Sequence, residues 1–135
     1  MIAIKMIMTT DVIYVKATTP IYEALHLLEN NQISGLPVVD DQMVVIGILS
    51  EKDVLKILID KNLDIKNTVA DYMSHKVICF KEDDSVTEVC RFFIKSHIRR
   101  VPIIRDGKLV GILSRRDLVS LILETKNQLS QFRYV

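Results

Sequence analysis

Gly47-Ile48-Leu49-Ser50-Glu51-Lys52-Asp53 runs from a short apolar strand into the polar start of a helix. The chain writes it again as Gly111-Ile112-Leu113-Ser114-Arg115-Arg116-Asp117. Working upstream from this pair, a slide of 65 residues superposes Met8, Val12, Ile13, Lys16, Glu23, Ile33 and Pro37 on Met73, Val77, Ile78, Lys81, Glu88, Ile98 and Pro102. The quoted stretch itself needs a slide of 64. The change of register places one extra residue between Val39 and Val45 of the first copy, where a hairpin turn is expected. An internal repeat of this length is one supersecondary unit written twice.

Each copy reads β-α-β-β-α. The opening strand covers residues 12–15 or 77–80. A helix follows, with Ile21, Ala24, Leu25 and Leu28 matched by Val86, Val89, Cys90 and Phe93, a spacing that lays one apolar stripe on a core. Thr19-Pro20 opens the first of these helices, and Asp84 or Ser85 caps the second. Two strands come next, residues 36–39 with 44–49 and 101–104 with 108–113, the second pair joined by the turn dipeptide Asp106-Gly107. The last helix covers residues 52–59 or 116–123. The fold class is α/β (α+β), with repeats at residues 1–60 and 68–124, a polar linker at 61–67 and a C-terminal tail at 125–135. One copy has too little core to stand alone, so the two are expected to pack on each other with pseudo-twofold symmetry.

The bulk composition excludes several function classes. With 49% apolar and 26% charged residues in 135, the chain has the balance of an ordinary globular protein. A net charge of +1 argues against a dedicated nucleic-acid binder. Apolar runs are too short to span a bilayer, and the start MIAIKMIM has no signal-peptide pattern, so a cytoplasmic location without membrane contact is expected. Cys79 and Cys90 lack metal-site spacing, and His26, His75 and His97 are scattered. The thiols read as buried and reduced. No coupled nucleophile and base and no glycine-rich phosphate loop is present, so the reading is not an enzyme.

The strand-to-helix corners are the best candidate site. The hydroxyls of Ser50 and Ser114, with the free N–H groups of a helix start, suit an anion. Asp53 and Asp117 can each accept both hydroxyls of a ribose. Ser-x-x-Asp is equally a capping box that only satisfies helix N–H groups, and both readings stay open. A second feature is His97-Ile98-Arg99-Arg100-Val101-Pro102, in which one of two adjacent arginines would turn toward a cleft in an extended segment. The first copy has Gln32-Ile33-Ser34-Gly35-Leu36-Pro37 there, without positive charge. Residues 91–116 hold eight Arg and Lys against Asp106 alone, while the matching stretch of copy one is acidic. A cleft between the copies would therefore have walls of opposite sign, its phosphate end toward copy two. Val12, Ile13, Val77 and Ile78 can form an apolar slot for a planar base, or simply pack in a core.

Taken together, two β-α-β-β-α repeats, each with a strand-leading proline and each ending Gly-Ile-Leu-Ser-x-x-Asp, resemble a CBS-domain (cystathionine β-synthase domain) pair over nearly the whole chain. The resemblance implies a regulatory module with two related clefts for adenosyl compounds: AMP, ADP, ATP or S-adenosylmethionine. It implies a homodimer and an unidentified client protein regulated in trans, with no required cofactor. It assigns the ribose to Asp53 and Asp117 and puts Ser50 and Ser114 beside ribose or phosphate. Phosphate would meet Arg99 and Arg100, with Arg116 at the second corner, and adenine would meet Ile13 and Ile78. Ser34-Gly35 departs from the family's basic pattern, which puts a phosphate contact from copy one in doubt. The competing readings are a ligand-free structural adaptor and a nucleic-acid accessory protein acting through the basic second repeat.

Overall fold

The computed structural model describes residues 2–59 and 67–133. The linker expectation, residues 61–67, lies outside the described residues except for Asn67. Copy one contains β1 (Val15–Lys16), α1 (Ile21–Asn30), β2 (Gly35–Val39), β3 (Val45–Ser50) and α2 (Glu51–Val54). Copy two contains β4 (Phe80–Lys81), α3 (Val86–Lys95), β5 (Arg100–Arg105), β6 (Lys108–Ser114) and α4 (Arg115–Arg133). Each copy builds a three-stranded sheet, β1-β2-β3 or β4-β5-β6, with a parallel first pair and an antiparallel hairpin. The apolar stripe of α1 buries Ile21, Ala24 and Leu28, and that of α3 buries Val86, Val89 and Phe93. Ser85, not Asp84, caps α3, its hydroxyl accepting from the Thr87 N–H at 3.0 Å.

The change of register sits in the turn, as the slide requires. Val39 pairs with Val45 and Ile104 with Leu109, so the first loop holds one more residue. Asp106 and Gly107 both have positive φ (54° and 78°), the left-handed pair that a two-residue hairpin turn demands. The longer first loop instead places Met43 at φ 67° and wraps its N–H groups on the Asp40 carboxylate, which accepts from Gln42 and Val44.

Several boundaries depart from the expectation. The opening strands are two residues long and start at Val15 and Phe80, because residues ahead of them leave their own sheet and cross to the other copy. The helix expected over 52–59 is one α-turn followed by a 3-10 segment, Leu55–Leu58. Its counterpart α4 continues well past residue 123, through most of the stretch read as a tail.

The crossing is reciprocal. Thr9 exchanges backbone hydrogen bonds with Ile112 of β6 (2.9 Å each), and Ser74 does the same with Ile48 of β3 (2.9 Å each). Ile4 donates to the Asp84 carbonyl while Val69 donates to that of Thr19. Val86 donates to Ile2 while Ile21 donates to Asn67. Side chains follow the backbone: Ile4, fully buried, completes the core of copy two beside Val86, Val101 and Leu113, and Val69 completes that of copy one beside Ile21, Leu36 and Leu49.

Close backbone approach at these crossings explains the glycines of the repeated stretch. A Cβ on Gly47 would lie 2.6 Å from the Ser74 carbonyl oxygen and would collide with the Met73 methyl. One on Gly111 would lie 2.5 Å from Met8 Sδ and 3.1 Å from the Thr9 carbonyl oxygen. Two predictions follow from the crossed clasp. Gly47→Ala should destabilise by about 1–3 kcal/mol in denaturant unfolding, as overpacking against backbone does. Ile4→Ala should cost about 2–5 kcal/mol, and amide exchange should speed up in α3 and β5 of the opposite copy rather than in α1 and β2.

Candidate functional site

Both serine–aspartate corners fold as capping boxes. At the first, the Ser50 N–H and the Ser50 hydroxyl each donate to Asp53 Oδ2 at 2.9 Å, and the Asp53 N–H donates to Ser50 Oγ at 3.3 Å. At the second, the Ser114 N–H donates to Asp117 Oδ2 at 2.8 Å, and the Asp117 N–H donates to Ser114 Oγ at 3.2 Å. Capping uses one carboxylate oxygen only. Among the described residues no hydrogen bond falls on Oδ1 of either aspartate, so a cap and a ligand contact are compatible on the same side chain.

The corners differ in what they open onto. Ser50 and Asp53, both half-buried, line a cavity of about 610 Å³ between the copies, well within the size of small-ligand sites. Its walls come in matched pairs: Ile13 with Ile78, Pro37 with Pro102, Ile48 with Ile112, and Ser34-Gly35 with Arg99-Arg100. Val12, Ile13, Val77 and Ile78 lie here outside any strand, in the segments that cross between copies. The extended backbone was expected to turn one of Arg99 and Arg100 inward, yet both line the cavity. A second cavity, about 690 Å³, is lined by Ser114 and Arg116 and again by Arg99 and Arg100. Asp117, half-buried like Asp53, lines neither of these two cavities, the one candidate residue of which that is true.

The loop carrying the arginines is held firmly. The Arg115 N–H donates to the Arg99 carbonyl at 3.0 Å, as the Glu51 N–H donates to that of Ser34 at 2.9 Å. The Arg115 guanidinium donates to the carbonyls of Phe93 and Ser96 and lies over the Phe93 ring, 6.0 Å from its centroid. Arg115 therefore ties the end of α3 to the start of α4. Sequence reasoning passed over Lys76, Lys52 and Asp11, which also line the first cavity. Asp11 and Lys76 occupy matched positions with opposite charge, a signal the repeat alignment contains but that only the groove makes meaningful.

Cys79 and Cys90 are half-buried and unpaired, not fully buried, and burial pushes the Cys79 thiol up. A raised thiol carries little thiolate near neutrality, which suits packing rather than nucleophilic chemistry. No described helix is long and apolar enough to cross a membrane.

Known proteins share this fold. An uncharacterised protein of Methanocaldococcus jannaschii is 30% identical over 119 residues, 88% of this chain, and the chain spans only 42% of that relative. The crystal structure of CBSX2 in complex with AMP superposes with a TM-score of 0.82 at 30% identity, covering 92% of this chain and 98% of the other. The CBS domain pair of protein MJ0100, in complex with 5′-methylthioadenosine and S-adenosyl-L-methionine, gives 0.78 at 29% identity over 92% and 98%. The CBS domain itself is matched twice, at residues 4–60 and 69–124, and the chain belongs to that family as a tandem CBS-domain pair.

Proposed function

We propose that this chain is a regulatory module which binds an adenosine nucleotide in the groove between its copies and reports occupancy to a partner protein. One observation carries the reading. Asp53 and Ser50 line one cavity together with Arg99 and Arg100 of the other copy, and among the described residues the cap occupies only one oxygen of the Asp53 carboxylate. A ribose at Asp53 places its phosphate toward Ser50 and the arginines, and its base toward the Ile13 and Ile78 slot. The relatives with AMP, or with 5′-methylthioadenosine and S-adenosyl-L-methionine, bound to the same fold support this ligand class.

The matched set Ser114, Arg116 and Asp117 is the weaker half. It is faced by Ser34 where the first set is faced by arginine, and its aspartate lines no described cavity. Binding is regulatory and needs no cofactor or catalytic group: the ligand's preference for one arrangement of the copies shifts the surface offered to a client. With AMP or ATP as ligand the module would serve energy sensing. Unpaired cysteines fit a reducing, cytoplasmic setting.

A homodimer is supported by a duplicated surface. Leu55, Leu58 and Ile59 are exposed after α2, and a slide of 64 puts them on Val119, Ile122 and Leu123, exposed on α4. A second copy of the chain, related by a twofold axis, covers equivalent patches with equivalent patches. The adaptor reading draws on the fact that both corners already satisfy their own helix starts.

Three outcomes are expected. AMP, ATP or S-adenosylmethionine at about 100 times its dissociation constant should stabilise the nucleotide-free protein by about 2.7 kcal/mol in thermal melting, and no shift with any of them favours the adaptor. Asp53→Asn keeps an oxygen acceptor for the cap, so calorimetry should show at least about a tenfold loss of nucleotide affinity with little change in stability, and a smaller loss for Asp117→Asn. Leu58→Lys combined with Ile122→Lys should halve the mass seen by light scattering without altering the circular dichroism spectrum.

A further inference from the structure

We infer that the second cavity is the polyphosphate half of a single nucleotide site, so that the chain takes one nucleotide at a time and prefers a triphosphate to a monophosphate. This rests on the adenosine reading of the first cavity. The two openings share a wall: Arg99, Arg100, Ser34 and Glu51 line both. An α-phosphate carried from a ribose at Asp53 to the arginine pair stands at the boundary between them, and further phosphates continue into the second opening.

The chemistry of the two halves differs in the sense this requires. The first cavity is walled by isoleucines and prolines, suited to a purine. The second gathers Arg115 and Arg116 beside Arg99 and Arg100, against the carboxylates of Glu29 and Glu51, an excess of positive charge suited to a polyanion. Arg115 is committed to the Phe93 and Ser96 carbonyls. Arg116 makes no hydrogen bond or ion pair among the described residues, so its guanidinium is available to a terminal phosphate. A second adenosine is disfavoured at the same place. Asp117, its ribose partner by repeat symmetry, lines neither cavity, and Ser34 supplies no charge for its phosphate.

The test is calorimetric titration of the full, nucleotide-stripped chain with AMP, ADP and ATP at physiological ionic strength. Expected are one nucleotide per chain and affinity rising with phosphate number, ATP at least about tenfold tighter than AMP. Arg116→Ser should remove most of that difference, lowering ATP affinity while AMP changes by less than about twofold, and inorganic tripolyphosphate should displace ATP more readily than AMP. AMP binding of ordinary strength with no gain for ATP overturns the polyphosphate site and leaves the groove reading standing. So do two nucleotides per chain, or an Arg116→Ser loss equal for both ligands. Failure of AMP and ATP alike overturns the polyphosphate site too, and failure of S-adenosylmethionine as well removes the groove reading itself.

Discussion

Neither half of this molecule closes its own core. Ile4 is buried in copy two and Val69 in copy one, each carried across by a lead segment whose backbone is sewn into the opposite sheet. Burying such side chains is worth about 1.5–3 kcal/mol each, and the ladder bonds at Thr9 and Ser74 align what is buried. The crossing demands near contact between backbones, which is why glycine stands at 47 and 111, immediately before the Ile-Leu-Ser-x-x-Asp corner. Fold and candidate site thus depend on the same few residues. A side chain at either glycine would push the lead segment off the sheet and with it the groove wall that follows.

That wall is the second consequence. After crossing, residues 12–13 and 77–78 return toward their own sheets without pairing, and their side chains are free to line the opening between copies. The backbone builds this opening with near-twofold symmetry, whereas the side chains do not respect it. Asp11 faces the position of Lys76, and Ser34-Gly35 that of Arg99-Arg100. Charge is therefore distributed along an axis that the fold leaves neutral, and an elongated, unequally charged ligand is given a direction.

Much of this was legible in the residues. The repeat gave element order, helix stripes, hairpins and the corner residues, because hydrophobic period and turn chemistry are local and were written twice. The change of slide locates the single insertion in the first hairpin, and the Asp106-Gly107 dipeptide alone specifies the turn of the second. What was not legible depends on partners distant in sequence. Residues 12–14 have strand composition, yet the pairing with β2 begins only at Val15, and residues 12 and 13 line the groove instead. Residues 55–58 were expected as α-helix and tighten into a 3-10 segment. Asp117 reads like Asp53 letter for letter, and only the walls of the groove separate them: Asp53 lines the first cavity and Asp117 lines neither of the two described.

The hairpin tips touch as well: the Val45 N–H donates to the Gly107 carbonyl and the Leu109 N–H to that of Met43, positions that exchange under the repeat operation. All these reciprocal bonds would also be satisfied by two separate single-copy chains, since each bond joins one copy to the other. In such an assembly, any substitution appears on both sides of the axis. Joining the copies in one polypeptide lifts that restriction, letting an arginine arise on one side while its counterpart stays serine. A symmetric scaffold thereby acquires a polarity that no assembly of identical subunits can encode.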